Sequence, residues 1–231
     1  MKFFRNQKGL TLIEILIALA ISAFVMAGIY STFNSQYKSY MIQERIVAMQ
    51  QNLRAGFYQL ERNIRLAGFD PTGNAGAGIE YDPNFQPSSK KETLTANNSI
   101  TVSFDLNKDG DINDDNERIS FYLYKSATTK TINLGMKRQN TTQYVRPIAE
   151  NIDAINFIYL GADGTPVSNI KDTKSVQIAI VARTEKNETG FINNKSYFNM
   201  QGTPFYTASG DKKRRRLFTS QIQCKNLGLQ E

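Results

Sequence analysis

The residues best suited to chemistry form an acidic run near the middle of the chain. The letters DLNKDGDIN, starting at residue 105, place oxygen-bearing side chains at the first, third and fifth positions, glycine at the sixth and isoleucine at the eighth. Calcium-binding loops have this spacing, because it wraps several hard oxygen ligands around one point. The candidate calcium ligands are Asp105, Asn107, Asp109, Asp111 through its backbone carbonyl, Asn113, Asn116 and Glu117.

The end of this run departs from the usual calcium loop. Its twelfth position is Asn116 rather than a bidentate glutamate, and Glu117 comes one position later. A non-helical exit would let Glu117 or Asp115 reach the ion. The alternative is a solvated turn between two strands, since aspartate, asparagine and glycine are natural turn formers. Six acidic residues crowd positions 105–117 with only Lys108 to offset them, and such crowding is unfavourable without a cation. The role of calcium would be structural, because the ion would pin a long hairpin.

No catalytic machinery is recognisable in the sequence. The 231 residues include no histidine, which removes the commonest general base. The single cysteine, Cys224, excludes an intramolecular disulfide and a cysteine-based zinc site. No serine lies in a G-x-S-x-G motif, and no glycine-rich phosphate loop follows a strand-like run. We therefore expect a protein that is not an enzyme, with no cofactor other than calcium.

The N-terminal segment has the pattern of a membrane anchor. Basic residues Lys2, Arg5 and Lys8 precede an apolar run over 10–33 whose one charged residue is Glu14. A helix of this length spans a bilayer core of about 30 Å. The positive-inside rule keeps the basic end in the cytoplasm and sends the rest of the chain outward. The net charge is +7, and without these three basic residues 25 basic and 21 acidic residues leave +4. A charge of this size does not indicate a nucleic-acid partner.

Three kinds of protein share such a segment. A secretory signal peptide would be cleaved near the small residues at 18–20, but its apolar region would then carry a carboxylate. A plain membrane anchor explains the length of the apolar run but not the charge of Glu14 within it. A charged side chain in a membrane helix is costly and is usually functional, with a partner elsewhere. Here Glu14 is the fifth residue after Gly9, and Gly9 ends the basic leader.

The stretch KGLTLIEIL resembles the processing site of type IV prepilins and type II secretion pseudopilins. In that family a membrane aspartyl peptidase cuts after the glycine, and the new N-terminus is methylated. The resemblance implies cleavage between Gly9 and Leu10. It also implies that Glu14 pairs with the N-terminal amine of a neighbouring subunit in the filament. The family usually has phenylalanine after the cut, so Leu10 is a departure that concerns methylation more than processing.

A helical repeat continues beyond the apolar run. No proline interrupts residues 10–67, and Gly68 and Pro71 end the pattern. We expect one helix over 10–67, whose second half lays an apolar stripe against a folded head. A coiled coil is the alternative, although the repeat lasts only about three heptads. The stripe, at steps of three and four, consists of Ile42, Ile46, Met49, Leu53, Phe57, Leu60 and Ile64.

The rest of the chain has the pattern of a β-rich head. Residues 68–99 predict an irregular connection, 149–152 a turn or short helix, and 185–211 an exposed polar loop. The predicted strands are Ile100–Leu106, Arg118–Tyr124, Thr131–Lys137, Gln143–Pro147, Ala154–Leu160, Ser175–Arg183 and Leu217–Gln223. The fold class is α+β, a long N-terminal helix packed on an antiparallel sheet. The organisation is a leader at 1–9, the helix at 10–67 with its transmembrane part at 10–33, and a head at 68–231.

The order of motifs in the head resembles the PilW group of minor pilins. The matching segments are ERNIRLAGFDP, DLNKDGDIND, IAENIDAINFIYL, VQIAIVARTEK and RRRLFTSQIQCKNLG. The resemblance implies a type IV pilin-like fold and a minor subunit that helps initiate a pilus near its tip. Implied partners are prepilin peptidase, other major and minor pilins, and the inner-membrane assembly machinery. The implied location is a single-pass inner-membrane protein with its head outside the cytoplasm, later part of a surface pilus or a periplasmic pseudopilus.

Two alternatives to the minor pilin stay open. One is a J-type minor pseudopilin of type II secretion or a DNA-uptake pseudopilus, which keeps the class and changes the machine. The other is a bitopic membrane protein whose head binds a ligand and never joins a filament.

A basic run and the lone cysteine complete the candidates. Residues 212–216, KKRRR, could contact DNA, acidic lipid or a partner subunit, but five charges in a row are more often a solvated edge. The run leads into a predicted strand, where such charges discourage unwanted pairing. Cys224 continues that strand and is expected to be a buried small hydrophobe.

Overall fold

The computed structural model describes residues 9–80, 98–139 and 145–227. The predicted leader charges Lys2, Arg5 and Lys8 lie outside these residues. Two compact units make up the chain, Met1–Glu44 and Arg45–Glu231.

A single long helix, α1, runs from Leu12 to Leu66, slightly inside the predicted 10–67. It ends where Gly68 adopts a left-handed φ of 80°, a conformation that glycine accepts without the strain of a Cβ atom. The Gly68 N–H then donates to the carbonyl of Ser103, 3.0 Å away, which ties the end of the helix to the first long strand.

The helical part of the N-terminal unit has an exposed apolar surface. Among its large apolar side chains, Leu12, Phe24 and Phe33 are each more than half exposed. By length and composition α1 can cross a membrane, and it is the one helix of the described residues that meets this test. Such a surface has no stabilising environment in water, so this part of the helix fits a lipid environment or contact with other apolar helices.

Five antiparallel strands form the first sheet of the second unit. Their order is β1-β2-β3-β4-β5, so each strand pairs with its neighbour in the chain. Their bounds are Ile79–Glu80 (β1), Ser99–Ser103 (β2), Arg118–Lys125 (β3), Ile132–Arg138 (β4) and Arg146–Ala149 (β5). The predicted strand Gln143–Pro147 corresponds to β5, and its residues 143 and 144 lie outside the described residues.

A second sheet has three antiparallel strands in the order β10-β7-β6. These strands are Ile152–Leu160 (β6), Ser175–Arg183 (β7) and Arg215–Gln223 (β10), with a short 3-10 helix at Ile170–Asp172 between β6 and β7. Between β5 and β6 the chain turns through Asn151, which has a φ of 56°. This segment is the turn predicted at 149–152.

The segment 185–211 is not the featureless exposed loop that its polar composition predicts. It contains a hairpin of Ser196–Phe198 (β8) and Pro204–Thr207 (β9), which pair as a separate two-stranded sheet. Tyr197 and Asn193 are buried there, and the Asn193 side chain donates to the carbonyl of Lys213 at 3.1 Å. The head thus has three antiparallel sheets among its described residues, where the sequence predicted one.

One hydrophobic core joins the helix to both larger sheets. The helical stripe predicted from the sequence enters it, with Leu60 and Ile64 fully buried. Phe57 packs on Phe218 of β10, their ring centroids 4.6 Å apart. Phe121 of β3 is fully buried in the same core. The α+β prediction of a long N-terminal helix with antiparallel sheets is confirmed.

Candidate functional site

The predicted processing site lies at the start of α1. Gly9 and Leu10 are exposed and precede the helix. Thr11 occupies the N-cap position, and its backbone N–H and its hydroxyl both donate to Oε2 of Glu14, each at 2.8 Å. The N–H of Glu14 donates back to the Thr11 hydroxyl at 3.3 Å. This reciprocal pair is a capping box, which satisfies N–H groups that lack partners in the first turn of a helix.

Sequence reasoning missed this second use of Glu14. The signal was present, because a threonine three residues before a glutamate at the start of an apolar helix predicts a capping box. Within one chain, therefore, Glu14 caps its own helix. The pairing of Glu14 with a neighbour's amine, cleavage after Gly9 and methylation of Leu10 stay predictions.

The acidic loop, residues 105–117, is organised around the carboxylate of Asp105. Asp105 is fully buried, and its Oδ1 accepts from the Lys108 N–H at 2.6 Å. Its Oδ2 accepts from the Gly110 N–H at 3.1 Å. These bonds hold the chain through two left-handed residues, with φ of 68° at Lys108 and 90° at Gly110. The predicted first ligand therefore shapes the loop.

Asn107, Asp109 and Asp114 meet on the exposed side of the acidic loop. The Asn107 amide nitrogen donates to Oδ2 of Asp109 at 2.8 Å and to Oδ2 of Asp114 at 2.6 Å. The hydrogen bond from Asn107 is the main cause that lowers the pKa of Asp109. Desolvation first, and the charge of Asp109 second, raise the pKa of Asp114. The carboxylates of Asp109 and Asp114 therefore both accept hydrogen bonds from the amide nitrogen of Asn107.

Glu117 closes the acidic loop from below. It is 1% exposed, and its Oε1 accepts from the N–H of Leu106 at 2.8 Å and from that of Asn107 at 3.3 Å. Its Oε2 is buried and has no hydrogen-bond partner. Asn116, at φ 72°, supplies the non-helical exit that brings Glu117 back to the start of the loop.

The other predicted ligands keep local roles. Oδ1 of Asp111 accepts from the Asn113 N–H at 2.8 Å, and Asp115 is exposed. Among the residues with described positions, no group of three or more histidine, cysteine, aspartate or glutamate side chains is arranged as a metal site. Calcium binding therefore stays a prediction, and it depends on oxygen ligands beyond the carboxylates.

Two family models match the chain. The prokaryotic N-terminal methylation motif matches residues 4–30. The model described as prepilin peptidase-dependent protein B matches residues 43–196, which is more than half of the chain. The chain belongs to the prepilin peptidase-dependent protein B family. The prediction of a type IV pilin-like prepilin is therefore confirmed.

One of the solved structures that the chain resembles is a type IV-like pilin. The type IV-like pilin TTHA1219 from Thermus thermophilus matches at 12% sequence identity and a TM-score of 0.47, over 78% of this chain and 98% of that chain. No curated protein matches the chain.

The basic run of this prepilin peptidase-dependent protein is not a solvated edge throughout. Arg215 is 2% exposed and pairs with Asp153 of β6 at 2.6 Å and with Asp211 at 2.5 Å. Arg214 pairs with Glu188 at 2.5 Å. The prediction of solvated charges is wrong for Arg215, because Asp153 of β6 and the nearby Asp211 both pair with it within the fold.

Proposed function

We propose that the protein is a minor pilin, cut after Gly9 by prepilin peptidase, that helps initiate a type IV pilus near its tip. The observation that carries the proposal is the pair of family matches on one chain, a methylation motif at 4–30 and a prepilin peptidase-dependent domain at 43–196. This membership supports a structural role rather than an enzymatic one.

The apolar part of α1 supports membrane anchoring before assembly. The basic leader would stay in the cytoplasm and the head would lie outside it. A charged residue costs about 2.5–3.5 kcal/mol at the centre of a membrane helix on insertion scales, which is an upper limit for Glu14 because it lies in the first turn of α1. Thr11 offsets part of this cost for Glu14 through two hydrogen bonds. A neighbouring subunit's N-terminal amine would offset more, since a buried carboxylate is tolerated best when it is paired with an opposite charge.

The capping box makes the two roles of Glu14 separable by experiment. Glu14→Gln removes the charge and keeps an oxygen that can accept from the Thr11 N–H, because glutamine serves in capping boxes as glutamate does. Thr11→Ala keeps the charge and loses the cap, at a cost of about 0.5–2 kcal/mol of helix stability. The measurement is the amount of each variant in the membrane and in sheared filaments of the native host.

We expect Glu14→Gln to be inserted and processed as the wild type is, and to be absent from filaments. Thr11→Ala should still enter filaments. Equal incorporation of Glu14→Gln and wild type would show that Glu14 acts only as a cap.

A deletion strain tests the initiation role. Loss of the protein should reduce the number of filaments per cell rather than their length. Unchanged filament numbers, with a secretion defect instead, would indicate a pseudopilus subunit.

A further inference from the structure

We propose that the outer edge of β10 accepts an extended acidic segment of another protein as an added antiparallel strand, whose first carboxylates occupy a cavity beside the end of β10. This inference goes beyond the proposed function and does not rest on it, because it depends only on the second sheet of the head.

The outer backbone groups of β10 have no partner among the described residues. In the sheet order β10-β7-β6, β10 pairs with β7 alone. Just before β10, the carbonyl of Arg214 accepts from the N–H of Thr184 at 2.9 Å. Just after β10, the N–H of Cys224 donates to the carbonyl of Lys174 at 2.9 Å. Because backbone groups alternate in direction along a strand, those of even-numbered residues point towards β7 and those of odd-numbered residues point away. The residues whose backbone groups point away are Arg215, Leu217, Thr219, Gln221 and Gln223.

β10 lacks the features that usually block an exposed edge. Its nine residues pair with β7 in one continuous register without a bulge, and they include no proline. Between Arg216 and Lys225 no residue carries a charge. Natural proteins block edges with short strands, bulges, prolines and charges, so a long regular edge is a template for another strand. Peptides are often recognised by main-chain hydrogen bonds to such an edge.

Basic residues at both ends of this edge favour an acidic partner. Arg216 and Lys225 are exposed, and neither forms an ion pair within the described part of the chain. A second copy of the chain fits poorly, because antiparallel pairing centred on Thr219 would place Lys213 of one copy opposite Lys225 of the other. Like charges directly opposite each other destabilise a sheet, and opposite charges stabilise it. The occupant that fits this edge is therefore an acidic segment of another protein.

An open cavity of about 800 Å³ lies beside the end of β10. The basic residues that line it are Lys174 and Lys225, and no acidic residue is among its described lining residues. Lys174 is partly buried, and no described residue forms an ion pair with its ammonium group. A charge that is partly withdrawn from water is unfavourable without a counter-charge. The cavity therefore favours an anion such as a carboxylate.

The edge and the cavity form one continuous surface, because Gln221 and Gln223 belong to both. An added strand that runs antiparallel to β10 begins beside the end of β10, where the cavity lies. This direction continues the antiparallel pattern of the sheet, and antiparallel pairing is slightly more stable per residue than parallel pairing. Acidic side chains at the start of the added strand therefore lie beside the cavity, while the backbone of that strand bonds to β10.

The test measures the binding of designed peptides to the full-length protein in detergent by fluorescence anisotropy. The main peptide has nine residues and blocked ends, begins with two glutamates and continues with alternating threonine and valine. One comparison peptide begins with two lysines instead. Another keeps the glutamates and carries methyl groups on its amide nitrogens, which removes the backbone donors. We expect the acidic peptide to bind at least about tenfold more tightly than either comparison peptide.

Hydrogen exchange locates the added strand. In the free protein the N–H groups of Leu217, Thr219 and Gln221 point away from β7 and should exchange rapidly, whereas those of Phe218 and Ser220 are protected by β7. The acidic peptide should slow exchange of the outward N–H groups at least about tenfold, and should leave the inward ones unchanged.

Two variants separate the cavity from the edge. Lys174→Gln combined with Lys225→Gln should weaken binding of the acidic peptide about 2- to 30-fold, because each exposed ion pair contributes modestly. The matched control combines Lys38→Gln with Lys125→Gln, two exposed lysines outside the cavity lining, and should bind as the wild type does. Thr219→Pro removes an outward N–H and no bond to β7, and proline is tolerated on edge strands. It should fold, and it should bind the acidic peptide at least about tenfold more weakly.

Several results would overturn the proposal. They are an absence of binding at about 1 mM acidic peptide, equal binding of the acidic and basic peptides, undiminished binding of the methylated peptide, and unchanged exchange of the outward N–H groups. If Thr219→Pro fails to fold, the methylated peptide decides whether the edge is used. Self-association that slows exchange of the same N–H groups without any peptide would identify a second copy as the occupant and reject the acidic segment.

Discussion

Asp153 joins three strands of the head through one carboxylate. From β6, its Oδ1 accepts from Arg183 Nε of β7 at 2.8 Å, and its Oδ2 accepts from Arg215 Nε of β10 at 2.6 Å. The hydroxyl of Tyr206, in β9, donates to Oδ2 at 3.1 Å. We predict that Asp153→Ala destabilises the head more than the loss of any exposed ion pair does.

The magnitude follows from the burial of the two arginines. The side chains of Arg215 and Arg183 are 2% and 11% exposed, so both charges lose their partner in a largely water-free environment. Removal of one partner from a buried pair costs about 3–5 kcal/mol. Arg215 keeps its second partner, Asp211, at 2.5 Å. The expected loss is therefore near the lower limit, about 3 kcal/mol.

Asp211→Ala is the matched comparison. Asp211 binds the same arginine, but its side chain is 32% exposed, so solvent screens the pair. Its loss should cost about 1 kcal/mol or less. Both variants are measured by equilibrium urea unfolding of the full-length protein in detergent, followed by the near-ultraviolet circular dichroism of tyrosine, since the chain has no tryptophan. Equal destabilisation by the two variants would refute the argument from burial.

Three further predictions concern packing and ionisation. A Cβ at Gly56 would lie 2.6 Å from the Cβ of Ala149, so Gly56→Ala should destabilise the head by about 1–3 kcal/mol. The same substitution at an unhindered helical site would stabilise by about 1 kcal/mol. Adding Ala149→Gly should restore the melting temperature, and no recovery would contradict the clash. Asn52 donates to the Glu150 carbonyl at 2.6 Å and accepts from its N–H at 3.2 Å, so Asn52→Ala should lower the urea midpoint by an amount equivalent to about 1–3 kcal/mol, and an unchanged midpoint would contradict this. Burial raises the pKa of the Cys224 thiol from 9.0 to about 12, so the thiol ionises at lower pH in the unfolded state than in the folded state. The free energy of unfolding should therefore fall as the pH rises from 9.0 towards 12. Mass spectrometry should show slow alkylation of Cys224 in the native protein at neutral pH, and alkylation as fast as in urea would contradict its burial.

The elements that could be predicted from the sequence are those with a strong local pattern. The strand Ser175–Arg183 matches its predicted bounds, because VQIAIVA is a continuous buried run with the branched residues that strands favour. The helical stripe was predictable for a similar reason, since its period of three to four residues is the period of the helix. The spacing in the acidic loop likewise predicted the turn at Gly110, which takes a left-handed φ.

The features that could not be predicted depend on residues far apart in the chain. Arg215 looks like an exposed charge in the letters KKRRR, and its main partner, Asp153, lies 62 residues away. The hairpin strands β8 and β9 have only three and four residues, and the hairpin is fixed to the second sheet by side-chain bonds such as that of Gln201 to Gln177 at 2.8 Å. Its strands therefore lack the hydrophobic alternation that identifies strands in a sequence.

The central claim is that this chain is a prepilin whose mature form begins at Leu10. The most direct test is the N-terminal mass of the protein isolated from native membranes, with and without prepilin peptidase. We predict a chain that begins at Leu10 only when the peptidase is present, and an added methyl group would show that Leu10 is modified despite replacing phenylalanine. A chain that begins at Met1 in both strains would contradict the account and indicate a membrane-anchored β domain outside any filament.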